Sequence, residues 1–474
     1  MAELLTPDIC VIGAGSGGLS VAAAAAAFGV PVVLVEKAEM GGDCLNTGCV
    51  PSKALLAAAK HAAGLRDSEP FGVSTQGVAV DFKKVHDHVH RVIAAIAPVD
   101  SEERFTGLGV RVIRAAAHFK DRHTVVAGGF EIRARRFVVA TGSKAAMPPI
   151  PGLDGVPCLT NETIFDLTEL PRHLLVIGGG PIGVELAQAF RRLGSGVTVF
   201  EAAQPLAKDD PECAGLVLDS LARDGVAIRA GVKVSGVGRA NGKIAVTISG
   251  DGKEETIEGS HLLVAAGRKA VTEGLGLEAA GIKTDRKGIV TDARLRTSNR
   301  RVYAVGDVAG RLQFTHAANY YAGIVIRNAL FRLPAKANDD AVPWVTYTEP
   351  ELAQTGLTEA QARERGIKVR IARWPYHDND RAQAERQTRG HIKVVTDRRG
   401  RILGATIVGA QAGELITTWT LAISQRLNIR AFAGIVVPYP TLSEIGKRAA
   451  IDYFAPDLTG PWVRRIIRWL RKLG

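Results

Sequence analysis

Cysteine is scarce: Cys10, Cys44, Cys49, Cys158 and Cys213 are the only five in a chain of 474 residues. So few, so scattered, cannot make a structural disulfide framework. Cys10, Cys158 and Cys213 stand alone, and Cys10 sits in an apolar strand pattern, where a free thiol behaves as a small core residue. Cys44 and Cys49 have no neighbouring cysteine or histidine to complete a zinc site, so no metal centre is expected. The sequence also lacks an unbroken membrane span. Residues 9–35 carry no charge, but GAGSGG and Gly29-Val30-Pro31 interrupt them. Glu3 and Asp8 precede this stretch where a secretory signal would have basic residues. A buried strand–turn–helix in a soluble, cytoplasmic protein is the expectation. The net charge is +12, yet no aromatic or fold motif accompanies it, which argues against nucleic-acid binding.

What is present is glycine, 52 residues of it, much of it in short runs, in a chain with 46% hydrophobic and 23% charged residues. This length implies two to four domains. Two segments repeat one grammar: DICVIGAGSGGLSVAAAAAAFGVPVVLVEK over residues 8–37 and HLLVIGGGPIGVELAQAFRRLGSGVTVFEA over residues 173–202. Each reads as apolar strand, glycine turn, helix and second strand ending in glutamate, which is the dinucleotide-binding βαβ pattern. Gly13 and Gly178 serve the tight turns. Gly15 and Gly180 admit a pyrophosphate close to the backbone, and Gly18 and Gly183 allow close packing of helix on strand. The helix N-termini favour phosphate, and Glu36 and Glu201 are placed to accept hydrogen bonds from an adenosine ribose. A carboxylate at Glu201 repels a 2′-phosphate, so NADH is expected over NADPH. Arg191 and Arg192 lie on the helix rather than at the strand end.

The expected fold class is α/β, with two Rossmann-like dinucleotide-binding domains and an α+β domain. The boundaries read as 1–150 and 268–338 for the first nucleotide domain, 151–267 for the second and 339–474 for the last. In the last, TYTEPELAQTGLTEAQARERG reads as a helix, and HIKVVTDRRGRILGATIVG as a hairpin turning at Asp397 to Gly400.

Cys44 and Cys49 lie in GGDCLNTGCVPSKALLAAAKHA, ahead of a strongly helical alanine-rich run. A regular helix does not bring positions five apart together, so a bridge between them requires a distorted turn, which Gly48 permits. Cysteines at a helix start have a lowered thiolate pKa, which suits exchange chemistry. A redox pair is the expectation.

GGDCLNTGCVPSK resembles the active-site signature of the class I pyridine nucleotide–disulfide oxidoreductases, a family that includes glutathione reductase, dihydrolipoamide dehydrogenase and mercuric reductase. The resemblance extends along the chain through ATGS at 140–143, GGGPIGVELA, AAGR at 265–268 and GDV at 306–308. It implies FAD as cofactor, with Cys49 as the thiol against the flavin and Cys44 as the one that exchanges with substrate. It further implies that Lys53 lies near the flavin with Glu185 as its ion-pair partner. Asp307, Thr141, Gly142 and Gly267 would lie along the cofactors, with His316 near the disulfide. Reducing equivalents would pass from NADH by way of FAD to the Cys44–Cys49 disulfide, in a homodimer whose last domain completes the partner's site.

The chain departs from the thiol-substrate members at VVPYPTLSEIGK. Tyr439 stands where they carry the acid–base histidine, while Glu444 keeps its place. A phenol is a poor base at neutral pH, and mercuric reductases resemble this chain there. They also resemble it at LQFTHAANYYAG, but the cysteine pair they use to capture metal is absent from residues 440–474. Pro181 replaces an aromatic gate of glutathione reductase. The acceptor is therefore expected to be a disulfide, a metal ion or another small molecule. Dihydrolipoamide dehydrogenase is the alternative, and an electron-transfer module serving a protein partner a second one. Two features stay outside this scheme. His86, His88 and His90 read as a solvent-exposed helix face, and GPWVRRIIRWLRKLG (460–474) reads as a basic amphipathic helix that lies on an anionic membrane or docks on the protein itself.

Overall fold

The computed structural model describes residues 2–250 and 252–473. Contacts divide the chain into two units. One comprises Met1–Gly178, Ala189–Phe200 and Val232–Asp339; the other Gly179–Gln188, Glu201–Gly231 and Asp340–Gly474.

In the first unit, the apolar runs predicted as strands are buried on both faces, as a parallel sheet covered on two sides requires. The central sheet has five parallel strands in the order Val302–Ala304, Arg136–Val139, Ile9–Ile12, Val32–Glu36, Val110–Arg114. Helix Ser16–Ala27 connects the third and fourth of these and packs on helix Thr315–Ala329. Gly17 makes that approach possible: a Cβ there would lie 2.9 Å from Val305 Cγ1 and 3.4 Å from Ala318 Cβ.

The second repeat builds the same way. Strand His173–Ile177 pairs in parallel with Gly196–Glu201 on one side and His261–Val264 on the other. A three-stranded antiparallel sheet, Lys233–Ala240, Lys243–Gly250 and Lys253–Gly259, accompanies it.

The two repeats agree to the level of single atoms. Gly13 has φ +106°, and a Cβ on it would meet Ala140 O at 2.4 Å, Ala140 C at 2.7 Å and Thr141 N at 3.1 Å. Gly178 has φ +114°, and its Cβ would meet Ala265 O at 2.4 Å, Ala265 C at 2.7 Å and Ala266 N at 3.1 Å. ATGS and AAGR are thus the same part in two copies: the backbone that passes beneath each glycine turn at the end of strands Arg136–Val139 and His261–Val264.

The second unit is built on a five-stranded antiparallel sheet in the order Trp344–Thr346, Glu351–Gly356, Ile402–Gly409, His391–Asp397, Val369–Pro375. Helices Ala412–Ser424 and Glu444–Leu458 pack on it around Ile392, Ile407, Trp419 and Ala449. The expected hairpin is present, with Gly400 N donating to Asp397 O at 3.0 Å.

The helix expected from TYTEPELAQTGLTEAQARERG is a correction. Glu351–Gly356 is a strand with Leu352 to Thr355 buried, and only Glu359–Glu364 is helical, capped by Thr358 and Gln361. Glu, Leu, Ala and Gln favour helix locally, but pairing on both edges within the sheet outweighs that preference. The histidine reading also needs correcting. His86, His88 and His90 lie on helix Phe82–Ile96 but are half-buried, and His90 Nε2 is 3.2 Å from Phe165 O. The His86 and His90 rings face each other with centroids 4.2 Å apart. Among the described residues no group of three or more His, Cys, Asp or Glu is placed to hold a metal ion. No helix among them is long and apolar enough to cross a membrane.

Candidate active site

The chain breaks between the two cysteines. Cys44 lies in the short helix Gly42–Asn46, and Cys49 is the first residue of helix Cys49–Arg66. Gly48 makes the break for lack of space rather than through a left-handed backbone. A Cβ there would lie 2.8 Å from Asp43 O and 2.9 Å from Asp43 Oδ2. Asp43 is itself pinned: its Oδ1 accepts from Thr47 Oγ1 and from Asn161 Nδ2, each at 3.0 Å. Asn46 Nδ2 donates to Met40 O and Gly42 O. The loop that carries the sulfurs is therefore held by hydrogen bonds on both sides of the break.

Both thiols are free, Cys44 half-buried and Cys49 exposed. They share a hydrogen bond, and it drives them apart electronically. Cys49 is held down to about 6, chiefly by the hydrogen bond from Cys44; burial, the next largest influence, opposes it, and Thr315 and the charge of Lys53 add to the lowering. Cys44 is pushed far up by the same hydrogen bond, by burial and by the Cys49 charge. The pair titrates as a unit, with the first negative charge residing on Cys49. Two helix starts assist it: Cys49 opens its own helix, and Thr315, whose Oγ1 is 3.6 Å from Cys49 Sγ, opens helix Thr315–Ala329. Neither helix has a side-chain cap or an acidic residue in its first turn. Lys53 lies four residues beyond Cys49, one turn along the same helix. His316 is exposed and stacks on Phe314 at 5.3 Å.

This asymmetry has a direct test. In the reduced protein, alkylation of Cys49 by iodoacetamide should be half-maximal near pH 6. The thiolate is present above that value and lost below it, so the rate should fall about tenfold between pH 7 and pH 5. A profile centred on the ordinary thiol range would contradict the assignment.

A second cluster was not foreseen. Arg268, from AAGR, is largely buried and donates to Ser143 Oγ at 2.7 Å and Ser143 O at 3.0 Å. It also lies 3.2 Å from Asp43 Oδ2 and 3.6 Å from Asp307 Oδ2. Ser143 in turn donates to Asp307 at 2.5 Å. Burial raises the Asp307 carboxyl, while Ser143 and Arg268 oppose that shift. Arg268 thus ties the cysteine loop to the segment that carries Asp307. Thr141 Oγ1 donates to Val271 O at 2.8 Å, so Thr141 and Gly142 are fixed to the same strand pair.

The two glycine turns have the features of dinucleotide sites. Helix Ser16–Ala27 has Gly15 as its N-cap, no side-chain cap and no acid in its first turn, so its leading N–H groups remain for a phosphate. Gly18 packs where a Cβ would be 1.9 Å from Gly13 O. Glu36 Oε2 accepts from Ala14 N at 2.6 Å and Oε1 from Ala38 N at 2.7 Å. Glu201 repeats this, accepting from Gly179 N at 2.7 Å and Ala203 N at 2.9 Å. A carboxylate offers about four lone-pair positions. Each glutamate is therefore locked in place and still has acceptor capacity for ribose hydroxyls. Both turns fit the adenosine diphosphate half that FAD and a nicotinamide dinucleotide share. Gly267 has φ +121° with nothing within 4 Å of its would-be Cβ.

The sequence profile of the pyridine nucleotide-disulphide oxidoreductases matches residues 7–322, and that of their dimerisation domain residues 342–450. The chain belongs to this family. It is a class I flavoprotein disulfide oxidoreductase, and members of this family use FAD and a pyridine nucleotide. The mercuric reductase of Staphylococcus aureus is 37% identical over 450 residues, covering 94% of this chain and 82% of that one. The dihydrolipoyl dehydrogenase of Thermus scotoductus is 38% identical over 463 residues, covering 93% and 95%. Among solved structures, the Cu(II) complex of the HOCl-induced flavoprotein disulfide reductase RclA from Escherichia coli superposes with a TM-score of 0.84. It is 29% identical and covers 93% of this chain and 98% of that one.

Three residues that family resemblance marked in the second unit have local partners of their own. Tyr439 is 68% exposed and donates to Asp380 Oδ2 at 2.7 Å. That bond and the Asp380 charge push the phenol up from its ordinary value. Glu444 opens helix Glu444–Leu458, with Arg448 3.8 Å away. Glu185 is buried and accepts from Tyr347 N at 2.9 Å.

Proposed function

We propose that this oxidoreductase takes two electrons from NADH and delivers them through the Cys44–Cys49 pair to a small acceptor, in the manner of a mercuric reductase. The observation that carries this is the polarised thiol pair: Cys49 ionised near neutrality and Cys44 protonated. FAD, when bound, supplies the two-electron relay between nicotinamide hydride and disulfide. The glycine turn at Gly13, Gly15 and Gly18, with Glu36, Thr141, Gly142 and Asp307, would hold it. The turn at Gly178, Gly180 and Gly183, with Glu201 and Gly267, would hold the nicotinamide nucleotide.

The residues of the chain manage charge and protons. Lys53 and Thr315 stabilise the Cys49 thiolate, and Cys44 carries the proton until the acceptor engages it. Two-electron reduction opens the Cys44–Cys49 bond to two thiols. Re-forming the bond returns the electron pair, to one Hg(II), to two Cu(II) or to one disulfide, with release of the thiol protons or their transfer to the product. Soft thiolate ligands suit such metals. The Cu(II) complex of the RclA structure and the mercuric reductase relatives support a metal-ion acceptor. Tyr439 speaks against a thiol substrate, since a phenol raised further by Asp380 keeps its proton at neutral pH and cannot take one from dihydrolipoamide. Glu185 with Lys53, and Tyr439 with Glu444 near the acceptor, are assigned by family resemblance. So is a homodimer formed through residues 339–474.

NADH oxidation should be assayed against Hg(II), Cu(II), glutathione disulfide and lipoamide at equal concentration. Metal turnover at least about tenfold above lipoamide turnover supports the proposal, and brisk lipoamide turnover overturns it in favour of a dihydrolipoamide dehydrogenase.

Nucleotide preference is separately testable. Arg191 is engaged with Ser195 O at 3.1 Å, while Glu201 is fixed at the strand end by two amides. kcat/KM should favour NADH over NADPH by at least about tenfold, and Glu201→Ala should narrow that ratio mainly by improving NADPH, since removing one nearby charge is worth about 1–2 kcal/mol. An unchanged ratio would place discrimination elsewhere.

A further inference from the structure

The stretch beyond residue 450 lies outside the matched dimerisation domain. Helix Glu444–Leu458 contains Pro456 and ends at Thr459; Gly460 and Pro461 then start a separate helix, Pro461–Leu470. None of its residues is buried. Trp462 is 73% exposed, Trp469 61% and Leu473 67%.

At about 100° per residue, Trp462, Ile466, Trp469, Leu470 and Leu473, with Val463 and Ile467, fall within roughly 160° of arc. Arg464, Arg465, Arg468, Arg471 and Lys472 fill the opposite side, and no acid lies among residues 460–474. An apolar face of this size, with a tryptophan near each end, costs free energy in water and calls for a cover. The charge decides which cover. Five cations and no anion match a surface that is apolar within and anionic at its rim, as a bilayer of acidic lipids is. A helix of this length, about 15 Å at 1.5 Å per residue, is half of what spans a bilayer core, so it lies in the interface plane.

We propose that helix Pro461–Leu470, with the three residues that follow it, is an anionic-lipid docking segment that holds this oxidoreductase at a membrane surface. Trp462 and Trp469 enter the acyl boundary, and the arginines and Lys472 meet phosphate headgroups. This does not depend on which acceptor the thiol pair reduces.

The test uses the holoprotein and floated vesicles of phosphatidylcholine alone or mixed with phosphatidylglycerol. The intact chain should bind the mixed vesicles at least about tenfold more strongly than the neutral ones, and lose that binding at about 0.5 M salt. Truncation after Thr459 should abolish binding, and W462A with W469A should weaken it at least about tenfold. NADH–dye reduction should be unchanged in both, which controls for folding and FAD content. Absence of binding by the intact chain, or equal binding by the truncated one, overturns the proposal. So does a change in sedimentation on truncation without vesicle binding, which would assign the face to a second copy of the chain.

Discussion

Cys49→Ser should abolish turnover of Hg(II), disulfide or any acceptor that needs the dithiol, by at least about a thousandfold. It should nonetheless leave the protein yellow and able to reduce an artificial dye with NADH. Cys49 carries the negative charge of the pair, and serine at its hydroxyl pKa carries none near neutrality. The neighbouring elements lose little, since Cys49 is exposed and its side-chain neighbours are Cys44 and Thr315. Cys44→Ala should block the same turnover and, by removing the hydrogen bond that most stabilises the Cys49 thiolate, move the alkylation midpoint upward from about 6. Acceptor turnover that survived Cys49→Ser would place the reduction at the cofactor itself and end the disulfide mechanism.

The second large effect comes from two substitutions with the same local geometry. Gly13→Ala and Gly178→Ala each put a Cβ 2.4 Å from a carbonyl oxygen at a φ beyond +100°. The strain and overlap cost about 3 kcal/mol or more, over a hundredfold in affinity. On the proposed assignment the two proteins differ in appearance. Gly13→Ala should purify colourless or FAD-depleted. Gly178→Ala should keep its flavin yet show a KM for NADH raised at least about a hundredfold. Flavin absorbance per protein and the NADH KM, with circular dichroism as the folding control, read the difference. A reversed pattern would exchange the two nucleotide sites.

The parts of this molecule that could be read along the chain are those whose causes are local. Glycines at the turns, the strand and helix around them and a cysteine pair ahead of an alanine-rich helix all act within about 30 residues. Contacts closed by the tertiary fold were not legible. Arg268, Ser143, Asp43 and Asp307 converge from four distant stretches, and nothing near any one of them announces the others. Thr315 reaches Cys49 across 266 residues. Along the chain Gly48 suggests backbone freedom, whereas the fold needs it because Asp43 occupies the space of a side chain. The strand Glu351–Gly356 was hidden for a related reason: its helix-favouring composition is overridden by neighbours on both edges. The half-burial of His90 similarly depends on Phe165, in another part of the unit.

One difference between the otherwise matching glycine turns bears on how long each would keep its guest. Gly15 is bridged to Gly41, and a Cβ on Gly42 would lie 2.7 Å from Gly15 Cα. A Cβ on Gly15 would lie 4.0 Å from Gly42 Cα, whereas one on Gly180, the corresponding position of the other copy, would meet nothing within 4 Å. On the proposed assignment of the two turns, a dinucleotide in the first is expected to leave more slowly than one in the second, because the segment bearing Cys44 packs over the first turn. The same phosphate grip would then serve a lasting guest and a passing one, the difference in their dissociation rates coming from the cover.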